Sequence, residues 1–201
     1  MLNKYRKTLS RFLNAIGTKL VAIGLRAWHL TLLGLLITIL AGTILLLYPH
    51  NIGIIASGTL YILAGFMDSL DGTVARLRGE VSAWGGFMDA YLDRVEEAVY
   101  LIFLIPSVLQ PDPVYITVFL ALSFLISYSR AKASEFHIKL SGIGLMERAE
   151  RMIILGLGVI LIPWIYDINI ILIILIILCL YTVLERVYKI YKAASSIHSK
   201  N

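Results

Sequence analysis

Charge is scarce in this 201-residue sequence: 15% of its residues are charged against 59% hydrophobic, and its mean hydropathy is +0.83. Soluble domains carry about 25% charged residues, so a water-exposed globule of this composition would leave much apolar surface wet. The composition excludes that class and reads as a polytopic membrane protein. Cysteine is nearly absent as well. The one cysteine, Cys179, excludes an internal disulfide and a cysteine-cluster metal site and carries no information on redox compartment. The net charge of +5 does not fit a soluble basic face for nucleic acid in so apolar a chain, and membrane topology accounts for it better. No internal repeat, low-complexity tract, separate soluble domain, nucleotide-cradling glycine loop or Ser-His-Asp arrangement is apparent. His50, His137 and His198 lack ligand spacing, and Cys179 lies in an apolar run where packing is its expected role.

Residues 27–67 contain no charge. That run is too long for one span of about 20 residues, and Tyr48-Pro49-His50-Asn51 divides it. Further uncharged runs lie at 98–110, 113–129, 152–166 and 168–184; Pro106 and Pro113 punctuate one gap between them, and Pro163 with Asp167 marks another. The pattern predicts an all-α membrane protein with six transmembrane helices, at 28–48, 52–76, 83–106, 113–137, 145–165 and 168–191. Several uncharged runs are shorter than a bilayer core, so the spans continue into charged turns at 68–78, 89–97, 130–135, 147–151 and 185–189. Alternate placement puts these turns at one membrane face, which predicts a polar chamber among helix ends. Charge at membrane depth is costly, and function is its default explanation.

All 18 lysines and arginines fall on the face that holds both termini and the loops after the second and fourth spans. The positive-inside rule makes that face cytoplasmic. The expected location is the cell membrane, multi-pass, with the chamber open to the cytosol. Before the first span, Leu2, Tyr5, Leu9, Phe12, Leu13, Ile16 and Leu20 recur at helical spacing, interleaved with Lys4, Arg6, Lys7 and Arg11. This segment, 1–22, reads as an interfacial amphipathic helix. A cleavable signal peptide is not expected, because the first apolar run starts late and is long. With the bundle at 28–191, the whole of 1–201 forms one membrane domain.

The chemistry concentrates in residues 68–93. Asp68 and Asp71, i and i+3 at the end of the second span, share a face. Asp89 and Asp93, i and i+4 at the start of the third, share another. A short turn at Arg78-Gly79-Glu80 runs the two spans antiparallel, so four carboxylates converge at one depth. Four ionised carboxylates in a partly dry cavity need a counter-charge. All-oxygen ligation suits Mg²⁺, Mn²⁺ or Ca²⁺ rather than zinc, and carboxylate-held Mg²⁺ completed by substrate phosphates is a phosphoryl-transfer arrangement. Gly72, Ala75 and Gly85 leave room for a close ligand, and Arg76 is placed to meet a diphosphate bidentately. The same acids also fit a different class, a cation or proton transporter.

The string Asp68-x₂-Asp71-Gly72-x₂-Ala75-Arg76-x₈-Gly85-x₃-Asp89-x₃-Asp93 resembles the signature of the CDP-alcohol phosphatidyltransferases at every specified position. The amphipathic first helix, six spans and cytosolic termini are similar to that family too. The resemblance implies attack by an acceptor hydroxyl on the lipid-side phosphorus of a CDP-activated lipid, with release of CMP. It implies Mg²⁺ or Mn²⁺, two ions, on Asp68, Asp71, Asp89 and Asp93, with Asp93 also the catalytic base. Gly72, Arg76, Ser82 and Thr31 take positions that resemble contacts to the CDP-lipid. The Thr-Pro-Asn-like turn of many members is replaced here by Arg26-Ala27-Trp28-His29-Leu30-Thr31, which keeps only the threonine. Trp28 reads as an interfacial anchor and His29 as a capping or headgroup-facing residue. A homodimer is expected from the family, and no nucleic-acid partner.

Arg130 and Lys132, Arg148 and Arg151, and Arg186 recur at the cytosolic ends of the last three spans. Singly they read as snorkelling residues, and Glu147 with Arg151 as a helix ion pair. Together they predict a cationic pocket for an acceptor that bears a phosphate. The strings Arg130-Ala-Lys-Ala and Glu147-Arg-Ala-Glu-Arg151 resemble the phosphatidylinositol phosphate and archaetidylinositol phosphate synthase branch. On that likeness Arg130, Lys132, Arg151 and Arg186 bind the phosphate of inositol phosphate. Transfer to glycerol 3-phosphate is the runner-up, and the lipid tail, isoprenoid ether or acyl, is left open.

Overall fold

The computed structural model describes residues 2–140 and 142–198, with side chains for 10–140 and 142–195. Seven α-helices run along these residues: α1 Leu2–Ala22, α2 Ala27–Leu47, α3 Asn51–Arg78, α4 Ala83–Leu104, α5 Pro113–Glu135, α6 Arg148–Ile165 and α7 Ile168–His198. The described residues contain no strand. The expected spans coincide with α2 to α7 to within a few residues, except that α7 runs on to His198. The helix expected to begin at 145 begins at Arg148, because the preceding loop turns through positive φ at Gly142 and Gly144.

Local chemistry sets several of these ends. Asp112 caps α5 through its Oδ1, which accepts from the Val114 amide at 2.8 Å, with Pro113 as the first helical residue. Ser82 caps α4 by accepting from the Gly85 amide at 3.0 Å. At the start of α2 the His29 Nδ1 accepts from the Arg26 amide at 3.0 Å, the capping one of the two roles expected of His29.

Helix α3 is central: it packs against α2, α6 and α1, while α7 packs against α5 and α6, and α4 lies mainly on α2. The main core joins Leu45, Tyr61, Leu104, Phe119, Leu155, Val159, Leu172 and Cys179. The thiol of Cys179 is fully buried there, as its expected packing role requires. A second cluster of Leu30, Leu70 and Val74 receives Leu13, Ile16 and Leu20 from α1. That docks one apolar stripe of α1 on α3; the side chains of Leu2, Lys4, Tyr5, Arg6, Lys7 and Leu9 lie outside the described residues. Large apolar side chains also cover the outside, including Leu36, Leu40, Ile153, Leu157, Ile173 and Ile177.

Among the described residues, α2, α3, α5 and α7 are long and apolar enough to cross a membrane. Helices α4 and α6 fall short for a visible reason. The first three turns of α4 carry Asp89, Asp93 and Arg94, followed by Glu96 and Glu97, and α6 has 18 residues that open on Arg148, Glu150 and Arg151.

Candidate active site

Helices α3 and α4 are joined by a four-residue turn and run antiparallel. Asp68 and Asp71 stand in the last three turns of α3, and Asp89 and Asp93 in the first three turns of α4. The third wall is α6, whose first residue reaches into the gap. Arg148 Nη1 lies 2.6 Å from Asp68 Oδ2 and 2.5 Å from Asp93 Oδ1, while Arg148 Nη2 donates to Glu96 Oε2 at 2.6 Å. Three carboxylates thus surround one guanidinium and leave the group with net negative charge.

Asp71 takes a separate partner. Its side chain is 3% exposed, and its Oδ2 accepts from Thr31 Oγ1 of α2 at 2.7 Å. Asp89 is the exposed member, within electrostatic reach of Arg148 and Asp68. A Cβ on Gly34 would stand 2.7 Å from Asp68 Oδ1 and 3.1 Å from Glu96 Oε1, so only a glycine lets the backbone of α2 come this close to the acids.

These side chains suit a divalent cation. They supply only oxygen donors, the preference of Mg²⁺ and Mn²⁺. Asp68 Oδ2 and Glu96 Oε1 are buried without a hydrogen-bond partner, the first holding only its close ion contact with Arg148. Asp68 and Asp93 already share one cation, the Arg148 nitrogen. Among the described residues, no three acidic, histidine or cysteine side chains are yet grouped as an ion would hold them. The separation follows from Asp71 bonding to Thr31 and Asp93 turning to Arg148.

The expected nucleotide contacts lie around this group. Arg76 is exposed and folds back along α3, its Nη2 donating to Thr73 Oγ1 at 3.0 Å, while its Nη1 lies 3.4 Å from where a Cβ on Gly72 would stand. Ser82 is exposed and serves as the α4 cap.

The basic residues expected to gather for an acceptor phosphate do not form one open patch. Arg151 is 2% exposed and grips Glu97 bidentately, Nε to Oε1 at 2.7 Å and Nη2 to Oε2 at 2.9 Å, with Nη1 donating to the Met146 carbonyl at 3.0 Å. Arg186 is 1% exposed and donates to the carbonyls of Ile143 and Ile126 at 3.0 and 2.6 Å. Arg130 is exposed and within electrostatic reach of Arg186. Lys132 is exposed and paired with Glu135 at 2.6 Å.

Sequence reasoning left out Glu96, Glu97 and Gly34, and it read Arg148 only as one of several basic residues. A signal was present: Glu96 and Glu97 follow Asp93 by three and four residues, the spacing that continues its helix face. Two turns beyond the carboxylates, Tyr61 of α3 and Tyr100 of α4 stack with ring centres 3.8 Å apart and planes at 8°. The Tyr100 hydroxyl is hydrogen-bonded to Ser57 Oγ at 3.0 Å. An apolar cleft of about 220 Å³ lies between α1, α3 and α6, lined by Leu13, Ile62, Phe66, Met152 and Ile153 among others.

The bundle carries its carboxylate group at two helix ends, and the sequence matches one family over most of its length. Residues 25–184 match CDP-alcohol phosphatidyltransferase, and the chain belongs to that family of enzymes. It is 35% identical to the archaetidylinositol phosphate synthase of Pyrococcus horikoshii over 156 residues, 77% of this chain and 80% of the relative. It is 32% identical to the archaetidylinositol phosphate synthase of Methanothermobacter thermautotrophicus over 199 residues, 96% and 95% of the two chains. The fold is shared with Mycobacterium tuberculosis phosphatidylinositol phosphate synthase with CDP-DAG bound, at a TM-score of 0.73 and 24% identity over 90% of this chain and 94% of that one. The same enzyme in complex with manganese and citrate also gives a TM-score of 0.73 at 24% identity, over 89% and 88%.

Proposed function

We propose that this transferase moves a substituted phosphate from a CDP-activated lipid, CDP-archaeol or CDP-diacylglycerol, to inositol phosphate and releases CMP. The likeness to archaetidylinositol phosphate synthases along nearly the whole chain supports this acceptor over glycerol 3-phosphate. Family membership favours the enzyme over the transporter. The observation that carries the reading is that Asp68 and Asp93, from two helices, share one cation contact inside the family's signature.

In this reading α2 to α7 are six spans, α1 lies at the cytosolic headgroups and both termini are cytoplasmic. Two copies pair as a homodimer. Asp68, Asp71, Asp89 and Asp93 hold one or two Mg²⁺ or Mn²⁺ ions. A divalent ion held by these aspartates would supply neutralisation of the diphosphate and make CMP a better leaving group. Asp93 takes the proton from the acceptor hydroxyl as its oxygen bonds to the lipid-side phosphorus and the bond to the CMP oxygen breaks. Gly72 leaves space for the diphosphate, Arg76 pairs with it, and Ser82 and Thr31 border the cytidine diphosphate. Arg130, Lys132 and Arg186 receive the acceptor phosphate, with Arg151 contributing from beneath. The cleft between α1, α3 and α6 seats part of the lipid tail.

The test is a competition in detergent, offering inositol phosphate, glycerol 3-phosphate, serine and free inositol to one preparation. CMP release that needs both Mg²⁺ and inositol phosphate is the expected result. Preference for glycerol 3-phosphate would reassign the acceptor, and metal-independent ion flux without CMP release would reinstate the transporter. Arg186→Ala is expected to raise the acceptor's KM about tenfold or more, the effect of losing one charge-assisted contact, with kcat less affected; an unchanged KM removes Arg186 from the pocket.

A further inference from the structure

Among the described residues, Arg148 is the one cation paired with acids of both α3 and α4. Its Nη1 sits between Asp68 Oδ2 and Asp93 Oδ1, and its Nη2 is held by Glu96, whose side chain is 1% exposed. Two of these three partners are proposed metal ligands; Glu96 is not. Glu96 is also the partner that stays with Arg148 if a divalent cation takes Asp68 and Asp93. Its other oxygen, Oε1, is buried with no hydrogen-bond partner, and Asp68 Oδ1 and Glu96 Oε1 approach the same point beside Gly34. Carboxylates this enclosed stay ionised only beside positive charge, and a guanidinium and a divalent ion can both supply it.

We propose that Arg148 is a resident counter-cation that competes with the divalent metal for Asp68 and Asp93, anchored on Glu96. In the metal-free protein it holds α3, α4 and α6 together. When metal binds, it gives up both aspartates and stays on Glu96, so metal affinity is set lower than the four aspartates alone would give. This rests on the metal-site assignment in the proposed function.

The test is Mn²⁺ titration of the full chain in detergent, followed by the electron paramagnetic resonance of free Mn²⁺, with thermal unfolding measured in parallel. Removing one neighbouring positive charge moves such an equilibrium by about ten- to thousandfold. Arg148→Gln is therefore expected to lower the Kd for Mn²⁺ by about tenfold or more and to lower the metal-free Tm. The rise in Tm on adding Mn²⁺ should be larger than in the wild type. Arg148→Lys, which keeps the charge, should bind close to the wild type.

Equal or weaker Mn²⁺ binding by folded Arg148→Gln, with wild-type binding intact, would overturn the competition while leaving the metal site in place. Mn²⁺ binding by neither protein would remove the metal-site reading and the competition together. If Arg148→Gln folds only when Mn²⁺ is supplied, the ion has replaced the missing counter-charge and the proposal stands. Failure to fold even with Mn²⁺ present would overturn it.

Discussion

The Glu97–Arg151 pair shows how much the site depends on satisfied charge. Both side chains are 2% exposed, and two parallel hydrogen bonds and a carbonyl occupy the guanidinium. Removing one member of such a buried pair leaves the other charge stranded at a cost of about 3–5 kcal/mol. Glu97→Ala is expected to lose stability of that order, read as a fall in Tm in detergent. The double variant Glu97→Leu with Arg151→Met should recover most of it. Asp93 calls for a different outcome. Asp93→Asn keeps the shape but cannot take a proton, so turnover should fall by about 10² to 10⁴ while Mn²⁺ still binds. Equal loss of binding and turnover would argue against a separate base role. The aspartates were legible in the sequence because their spacings of three and four fix a shared helix face. The contacts of Arg148 were not, because Asp68 and Arg148 are 80 residues apart and meet only once α6 has docked on α3.

At the scale of the element, helix positions were the most legible feature. Uncharged runs and prolines placed the spans and amphipathic spacing the first helix, and the first apolar stripe landed on α3 through Leu13, Ile16 and Leu20. What the pattern did not carry was which helices touch. Helices α3 and α6 cross at Gly58 and Gly156, where a Cβ on Gly58 would stand 2.6 Å from the Gly156 carbonyl oxygen. Small residues at 156 and 158 allow close helix packing, but nothing in their spacing says against which neighbour. A Cβ on Gly156 would meet Ile62 Cγ1 at 2.5 Å. Gly156→Val should therefore push α6 away from α3 and cost about 1–3 kcal/mol, seen as a lower Tm. Because the same displacement moves Arg148, acceptor turnover should fall with it. A variant with wild-type Tm and turnover would show that this crossing does not position the site.

For the whole molecule, composition points to a membrane, and the charge asymmetry between its loops is the basis of the proposed topology. Among the described residues, four helices meet the length and apolarity that a crossing requires; α4 and α6 miss because of the charged residues between Asp89 and Glu97 and between Arg148 and Arg151, which a reading of runs alone does not separate from a helix end in water. The test is cysteine labelling in membrane vesicles, for which Cys179, fully buried, adds little background. Cysteines placed at Glu80 and Lys139 should react from the cytoplasmic side, and those at His50 and Asp167 only from the other. Reaction of all four from one side would overturn the six-span arrangement.

The stacked rings of Tyr61 and Tyr100 have a consequence of their own. Each lies seven residues from an aspartate of the site, Asp68 or Asp93, about 10 Å along its helix. Both are fully enclosed, and Ser57 pins the second. The stacked pair fills the gap between α3 and α4 two turns from the acids, so the proposed chemistry needs no water path between these two helices. Liposomes carrying the enzyme should stay electrically tight through every turnover.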